Sequence, residues 1–306
     1  MKSITVYRGA PTAWVRISGE DAPEFLQSQF SNEIGSSRAG DVIYGLWLNR
    51  KGRVIADSFL LTGQKNVFYA LSYFCSATDV IAKLSENIIA DDVDLQDMTS
   101  GVSMVSWWGP GAEAMLEASD LSVPEDGVFI DSPFGLLFRG RRSAGANFDL
   151  LGVPAARSQF EAFLGRQADA FEIACATDEM LHGARINAGI AAVPQDIGAG
   201  ELPQEGALDR DAVSFSKGCY LGQEVMSRIH SIGRPRRGLF VVKGDLDATP
   251  SDGARELFAG GKSVGQLRSV GLFEGGTLGH ALLKLDSVRG VGGLSFASDG
   301  PEEVTL

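Results

Sequence analysis

Cys219, one of three cysteines, sits in the run Lys217-Gly218-Cys219-Tyr220-Leu221-Gly222-Gln223-Glu224, between two glycines and two residues after a lysine. The apolar residues Ala212, Val213 and Phe215 precede this run, and a segment with helical spacing follows it. A thiol on a glycine-hinged turn ahead of a helix would face unpaired N–H groups and the positive end of the helix dipole. With the Lys217 ammonium nearby, that setting favours thiolate over thiol, so Cys219 is a candidate reactive thiol. The competing reading is an inert buried cysteine, which is the one adopted for Cys75 and Cys175. The nearest histidine in sequence, His230, is eleven residues on, which gives a Cys–His hydrolase little support.

Charge around the motif suggests a ligand. From 217 to 237 the cations Lys217, Arg228, Arg234, Arg236 and Arg237 face one acid, Glu224, in a chain whose formal net charge is −12. The stretch is either a solvated basic turn or an anion pocket, and its place beside the cysteine favours the pocket. Tyr220 could stack on a planar ring and Gln223 could hydrogen-bond one, while arginines capture carboxylates with directional pairs. A ligand with a flat heteroaromatic head and a carboxylated tail matches that inventory. Residue types alone do not name it.

Several function classes are disfavoured. A strongly acidic chain lacks the basic field of a general DNA or RNA binder. No run approaches 18 uninterrupted apolar residues, so no membrane span is expected. The first residues lack the pattern of a signal peptide, so a cytoplasmic location is expected. Cys75, Cys175 and Cys219 form no C-x-x-C pair, and His182, His230 and His280 show no ligand spacing, so no metal is expected.

These residues need a scaffold, and 306 residues fit two or three domains. Strand signals fall at 12–17, 41–48, 53–61, 67–71, 102–107 and 134–139. The turn cluster Asn49-Arg50-Lys51-Gly52 joins two of these runs into a β-hairpin. Helical spacing marks a segment opened by Ser18, Gly19, Glu20 and Asp21, with Phe25, Leu26 and Phe30 on one face. It also marks 77–84, Ala112–Glu117, 158–167, 177–188 and 222–230. Thr177 is a candidate N-cap, and Glu224 and Arg228 form a favourable i,i+4 pair. Residues 189–210 read as a long irregular loop, and loops of that length in compact domains are usually functional. Beyond Arg237, short β-favouring runs between glycine-rich turns predict a small all-β barrel.

The eight-residue run resembles the signature of the bacterial YgfZ family, folate-binding proteins tied to iron–sulfur protein maturation and, through it, to tRNA modification. That family is similar in fold to T-protein, the aminomethyltransferase of the glycine cleavage system. Further landmarks follow in the same order: 26–33, 49–57, Trp108-Gly109-Pro110, 185–190, 202–205 and 264–269. The resemblance implies an α+β fold, with two α+β domains and a C-terminal small β-barrel in a ring around a central hole. The first domain would comprise 1–40 and 140–233, the second 41–139 and the barrel 234–306. It implies tetrahydrofolate, or a 5,10-substituted derivative, as ligand. Glu205 would meet the amino-pyrimidine edge, and Arg236 and Arg237 the glutamate tail. Lys217, Tyr220, Gln223 and Arg228 would belong to the same pocket, with the cysteine turn as one wall.

Asp57 lies where T-proteins carry adjacent aspartates, one of them catalytic, but Ala56 replaces one of the pair. Asn187 stands where T-proteins commonly show Glu. Both departures speak against glycine-cleavage catalysis. The leading expectation is therefore a folate-binding accessory protein for iron–sulfur cluster assembly or repair, with iron–sulfur client or assembly proteins as partners. Cys219 would act as a transient thiol, and a monomer would suffice. The alternatives are a folate-dependent C1-transfer enzyme using Asp57, and an interaction module that keeps the fold without the ligand.

Overall fold

The cluster at 49–52 does reverse the chain between two antiparallel strands, and in the computed structural model this hairpin lies at the heart of the fold. Residues 1–118, 121–167, 169–246 and 254–306 are described. The strands begin with β1 Lys2–Gly9, β2 Ala13–Ser18, β3 Val42–Leu48, β4 Val54–Thr62, β5 Val67–Ser72 and β6 Asp94–Asp97. Next come β7 Ser103–Trp108, β8 Phe129–Ser132, β9 Gly135–Arg139, β10 Asn147–Gly152 and β11 Phe171–Cys175. The last are β12 Arg237–Gly244, β13 Arg255–Ala259, β14 Lys262–Phe273, β15 Gly276–Lys284, β16 Gly293–Leu294 and β17 Val304–Thr305. The helices are α1 Ala22–Gln29, α2 Ala77–Ser85, α3 Ala112–Glu117, α4 Pro154–Arg166, α5 Asp178–Asn187, α6 Gln223–Ile232 and the one-turn α7 Leu285–Val288.

The fold is α+β, with three sheets. The first runs β11-β1-β7-β10-β9-β8 and is antiparallel except for the β1–β11 pair. The second, β3-β4-β5-β2-β6, is antiparallel throughout. The third, β13-β14-β15-β12-β17-β16, nearly closes on itself. Phe258 of β13 exchanges backbone hydrogen bonds of 2.9 Å with Ser295, just past β16. Such closure removes exposed sheet edges and makes the C-terminal unit barrel-like.

Sheet membership does not follow the expected segments. Residues 1–40 give β1 to the first sheet and β2 to the second, and residues 41–139 also contribute strands to both. The third sheet lies wholly within 234–306.

Period-2 alternation explains how the second sheet is placed. On β4, Val54, Ala56 and Leu60 face a core with α1, α2 and the 191–213 loop, which also buries Tyr220 and Met226. Phe59 and Leu61 face the other way, packing with Trp14, Leu71, Met104, Phe138 and Leu151 against the first sheet. Asp57 shares the parity of Phe59 and Leu61, so its carboxylate points into the layer between the two sheets. A separate core of Ile4, Trp107, Phe148 and Phe160 lies under α3 and α4.

Helix α5 seats the barrel. A Cβ on Gly183 would lie 1.9 Å from the Leu272 carbonyl oxygen, and one on Gly271 would lie 2.1 Å from the Gly183 nitrogen. Helix and strand backbones are thus in direct contact, which two glycines permit. Thr177 caps this helix as expected, accepting from Met180 N–H at 3.3 Å. Helix α4 starts four residues before the expected position because Pro154, pre-set for the first helical turn, opens it.

Candidate functional site

Asp57, at 6% exposure, takes a hydrogen bond from the Tyr44 hydroxyl (2.8 Å) and one from the Cys75 thiol (3.3 Å). Burial raises its pKa; the bonds from Tyr44 and Cys75 and the nearby Arg141 oppose that rise. Arg141 lies over the Tyr44 ring at 4.4 Å and pairs with Asp211 at 2.8 Å. Burial and the adjacent Asp57 charge push the Cys75 thiol far up, so it stays protonated.

Two buried arginines continue this layer. The Arg142 guanidinium sits 3.6 Å from the centre of the Tyr73 ring. Asp149, wholly buried, accepts from the Tyr73 and Ser106 hydroxyls, and Arg142 Nε stands 3.9 Å away, beyond hydrogen-bond reach. Arg185 binds Asp196 at 2.5 Å, and Asp196 also accepts from Ser269 (2.6 Å), the Ala192 N–H (2.8 Å) and His280 Nδ1 (2.9 Å). The Asp196 pKa is depressed: burial pushes it up, but Arg185 and His280 more than offset that. His182 accepts from Arg185 Nε at 3.0 Å and stacks on Phe74; burial and the Arg185 charge lower it to about 4, so it is neutral.

Asp57, Tyr44, Arg141, Arg142 and Arg185 line one enclosed cavity of about 10 Å³, no more than a single water needs. Arg142 Nε and Arg185 Nη2 are buried without a hydrogen-bond partner. An orphaned buried donor costs about 1–3 kcal/mol unless an acceptor reaches it. Both orphaned donors belong to arginines that line the cavity, and a pterin does not fit it as arranged.

A second, open cleft of about 680 Å³ lies beside the barrel, lined by Arg53, Glu205, Arg234, Arg236, Arg237 and Lys284 among others. Glu205, 5% exposed, is clasped by Arg237 through Nε (2.8 Å) and Nη2 (3.0 Å), and it also accepts from Leu202 N–H (2.8 Å). Glu201 extends the network to Arg268 at 3.1 Å. The Arg234 and Arg236 guanidinium groups make no hydrogen bond or ion pair among the described residues, so two cationic groups remain open to a carboxylated ligand. Glu205 fits an amino-pyrimidine edge only once Arg237 turns away from it.

The signature turn is built differently from expectation. Lys217 points inward, donating to the carbonyls of Gln27, Phe30 and Asn32 at 2.8 Å each. Its three donors are all taken at the C-terminal end of α1, and burial lowers its pKa to about 8. Tyr220 is buried in the core under the Lys217 ammonium, its ring centre 5.2 Å from Nζ, and its hydroxyl has no partner. Gln223 returns a bond of 3.3 Å to the Lys217 carbonyl. Arg228 pairs with Glu224 at 3.0 Å on an exposed face.

Cys219 is exposed, and α6 begins four residues later at Gln223, so the thiol does not cap the helix. Lys217, Tyr220 and Gln223 line no part of the cleft that Glu205, Arg236 and Arg237 share. The structure thus brings Glu205, Arg236 and Arg237 together and holds Cys219 and Asp57 elsewhere. Among the described residues no group of three His, Cys, Asp or Glu side chains could hold a metal, and no helix is long and apolar enough to cross a membrane.

The sequence reading passed over Tyr44, Arg141, Arg142, Arg185 and Asp196. One signal was available: the Arg141-Arg142 doublet directly after a strand, which is poorly explained by solvation alone. Arg185 opened the landmark 185–190 without a role of its own, and for Asp196 only the length of the 189–210 loop hinted at function.

Residues 5–127 match the family description "GCVT N-terminal domain". The chain is 26% identical over 251 residues to the iron–sulfur cluster assembly factor IBA57 homolog, mitochondrial, of Mycosarcoma maydis, covering 77% of this chain and 56% of that protein. It is 26% identical over 292 residues to the iron–sulfur cluster assembly factor IBA57, mitochondrial, of Homo sapiens, covering 90% of this chain and 76% of that protein. Proteins named tRNA-modifying protein YgfZ and aminomethyltransferase match as well. Among solved structures, the glycine cleavage system aminomethyltransferase T from Bartonella henselae superposes with a TM-score of 0.76 at 17% identity, covering 93% of this chain and 79% of that one. The chain thus matches the GCVT N-terminal domain over residues 5–127, has the T-protein fold, and is similar in sequence to proteins named IBA57, YgfZ and aminomethyltransferase.

Proposed function

We propose that this protein is a cytoplasmic, monomeric, tetrahydrofolate-binding accessory factor for iron–sulfur cluster assembly or repair, serving clients such as tRNA methylthiotransferases. The observation that carries the folate reading is the cleft beside the barrel, where Arg234 and Arg236 stand unpaired next to the Glu205–Arg237 clasp. Its volume lies within the about 300–1,000 Å³ usual for small-molecule sites. Arg234 and Arg236 would hold the carboxylates of the folate tail, and Glu205 the pterin edge. The folate supplies a carrier for one-carbon units. Names of relatives support the iron–sulfur reading, and the exposed Cys219 supplies a thiol free to meet a partner or its cluster.

Calorimetric titration with tetrahydrofolate tests the cleft, and complementation of a deletion strain, read as iron–sulfur enzyme activity, tests the thiol. Arg236→Gln is expected to weaken binding about tenfold, the loss of one charge-assisted contact. Cys219→Ala is expected to bind folate normally and fail to complement. No heat of binding in the wild type would sink the folate reading, and full rescue by Cys219→Ala would sink the thiol role.

One observation favours a C1-transfer enzyme of the aminomethyltransferase type. Asp57 is a buried carboxyl with a raised pKa at a cavity wall, the profile of a proton-transfer group. Methylene-tetrahydrofolate formed from an N-methyl amine, and abolished in Asp57→Asn, would establish that reading.

A further inference from the structure

A third concavity reaches the signature turn at Leu221. This cleft of about 420 Å³ is walled by Asn49, Arg50 and Lys51 of the hairpin turn, Lys83, Glu86 and Asn87 at the end of α2, and Leu221 of the cysteine run. Lys83 is its unusual member. The residue is only 6% exposed, and its ammonium, which opens onto the cleft, makes no hydrogen bond or ion pair among the described residues. Burial and the Arg50 charge lower its pKa, with Glu86 acting the other way. Its stem is covered by the protein while its charged end meets only the water of the cleft, so an anion bound there would pair with a cation that no side chain of the protein neutralises. Three cations against one carboxylate leave the cleft positive within a strongly acidic chain.

The hairpin turn and the cysteine turn are locked together. A Cβ on Gly222 would lie 2.7 Å from the Asn49 carbonyl oxygen and 3.0 Å from the Gly52 Cα. Leu221 N–H donates to the Ser28 carbonyl at 3.0 Å. Cys219 lies two residues before Leu221, so their Cα atoms are at most about 7 Å apart.

We propose that this cleft is a binding subsite for a compact carboxylate- or phosphate-bearing small molecule, its anionic group held by Lys83 and Arg50 beside the Cys219 turn. A small molecule suits it better than a nucleic acid. The positive charge is confined to a concavity with one buried lysine, and a long polyanion would meet the acidic remainder of the chain. The inference does not rest on folate binding, since neither Arg50 nor Lys83 lines the Glu205 cleft.

The test is calorimetric titration of the full chain with inorganic phosphate and, separately, with citrate, for wild type, Lys83→Met and Arg50→Gln. At least one anion is expected to bind the wild type saturably and to bind each variant about tenfold or more weakly. Whichever anion binds tighter identifies the headgroup. A second readout is the alkylation rate of Cys219 by iodoacetate relative to neutral iodoacetamide, followed on the Cys219 peptide by mass spectrometry. That ratio is expected to fall in both variants. Should Lys83→Met fail to fold, Arg50→Gln, altered on an exposed turn, decides the matter alone. Absence of binding by both anions, or binding and alkylation ratios equal to wild type in the folded variants, overturns the proposal.

Discussion

Replacing Lys217 by Met separates a scaffold role from a ligand role for the signature lysine. The substitution keeps most of the apolar stem and removes three hydrogen bonds of 2.8 Å to the carbonyls of Gln27, Phe30 and Asn32. Bonds from charged donors are worth about 1.5–3 kcal/mol each, a gross loss of roughly 5–9 kcal/mol. Removing a buried ammonium returns several kcal/mol of its desolvation cost. The net loss is therefore about 2–4 kcal/mol, localised where α1 meets the signature turn. For a unit of 150–250 residues each kcal/mol lowers Tm by about 2–4 °C, so a fall of roughly 5–15 °C is expected by calorimetry. Tetrahydrofolate titration well below that melting point is expected to match the wild type, because all three donors face backbone. A variant that melts within about 1 °C of wild type yet loses the heat of binding would refute this reasoning and make Lys217 a ligand group.

Asp196→Ala leaves Arg185, His280 and Ser269 without their common acceptor and is expected to cost about 3–5 kcal/mol in denaturant unfolding. The folded Asp196 pKa is depressed, so its contribution is present above the unfolded value of about 3.9 and is lost as pH falls towards the folded one. The wild type should therefore lose stability below about pH 4 more steeply than the variant. Gly222→Ala adds a Cβ 2.7 Å from the Asn49 carbonyl oxygen at a φ of +88° and is expected to cost about 1–3 kcal/mol. An unchanged melting point would show that the two turns are not locked.

Local signals were legible where one short segment decides its own conformation. The hairpin at 49–52, the Thr177 cap, the Glu224–Arg228 pair and the barrel after Arg237 all follow from turn chemistry or periodicity. What failed were pairings between distant segments. The parallel pairing of β1 with β11 joins residues about 170 apart, and no local pattern encodes it. Lys217 illustrates the same limit within the site: its sequence neighbours suggested an electrostatic partner for Cys219, but its acceptors lie nearly 190 residues away. Glu205 and Arg237 were both identified, but their mutual clasp was not. Whether a carboxylate and a guanidinium serve a ligand or one another depends on three-dimensional register.

The placement of α6 now governs how the signature works. Ten helical residues span about 15 Å. The cysteine turn precedes the first of them, while Arg234, Arg236 and Arg237 follow the last. Ile229, in the helix's final turn, lines the Glu205 cleft, whereas Cys219, Tyr220 and Gln223 do not. Lys217, Tyr220 and Gln223 instead pin the turn on both sides of Cys219, through α1, the core and the Lys217 carbonyl. A thiol held outward by buried neighbours is presented by a rigid frame, which suits encounter with another molecule. Two elements connect the arginine cleft to the Cys219 turn: α6, and the hairpin, which places Arg53 in the cleft wall and Gly52 against Gly222. Arg236→Gln should leave the alkylation rate of Cys219 unchanged in the absence of folate. A change of more than about twofold would mean that the helix or the hairpin already transmits between the cleft and the thiol.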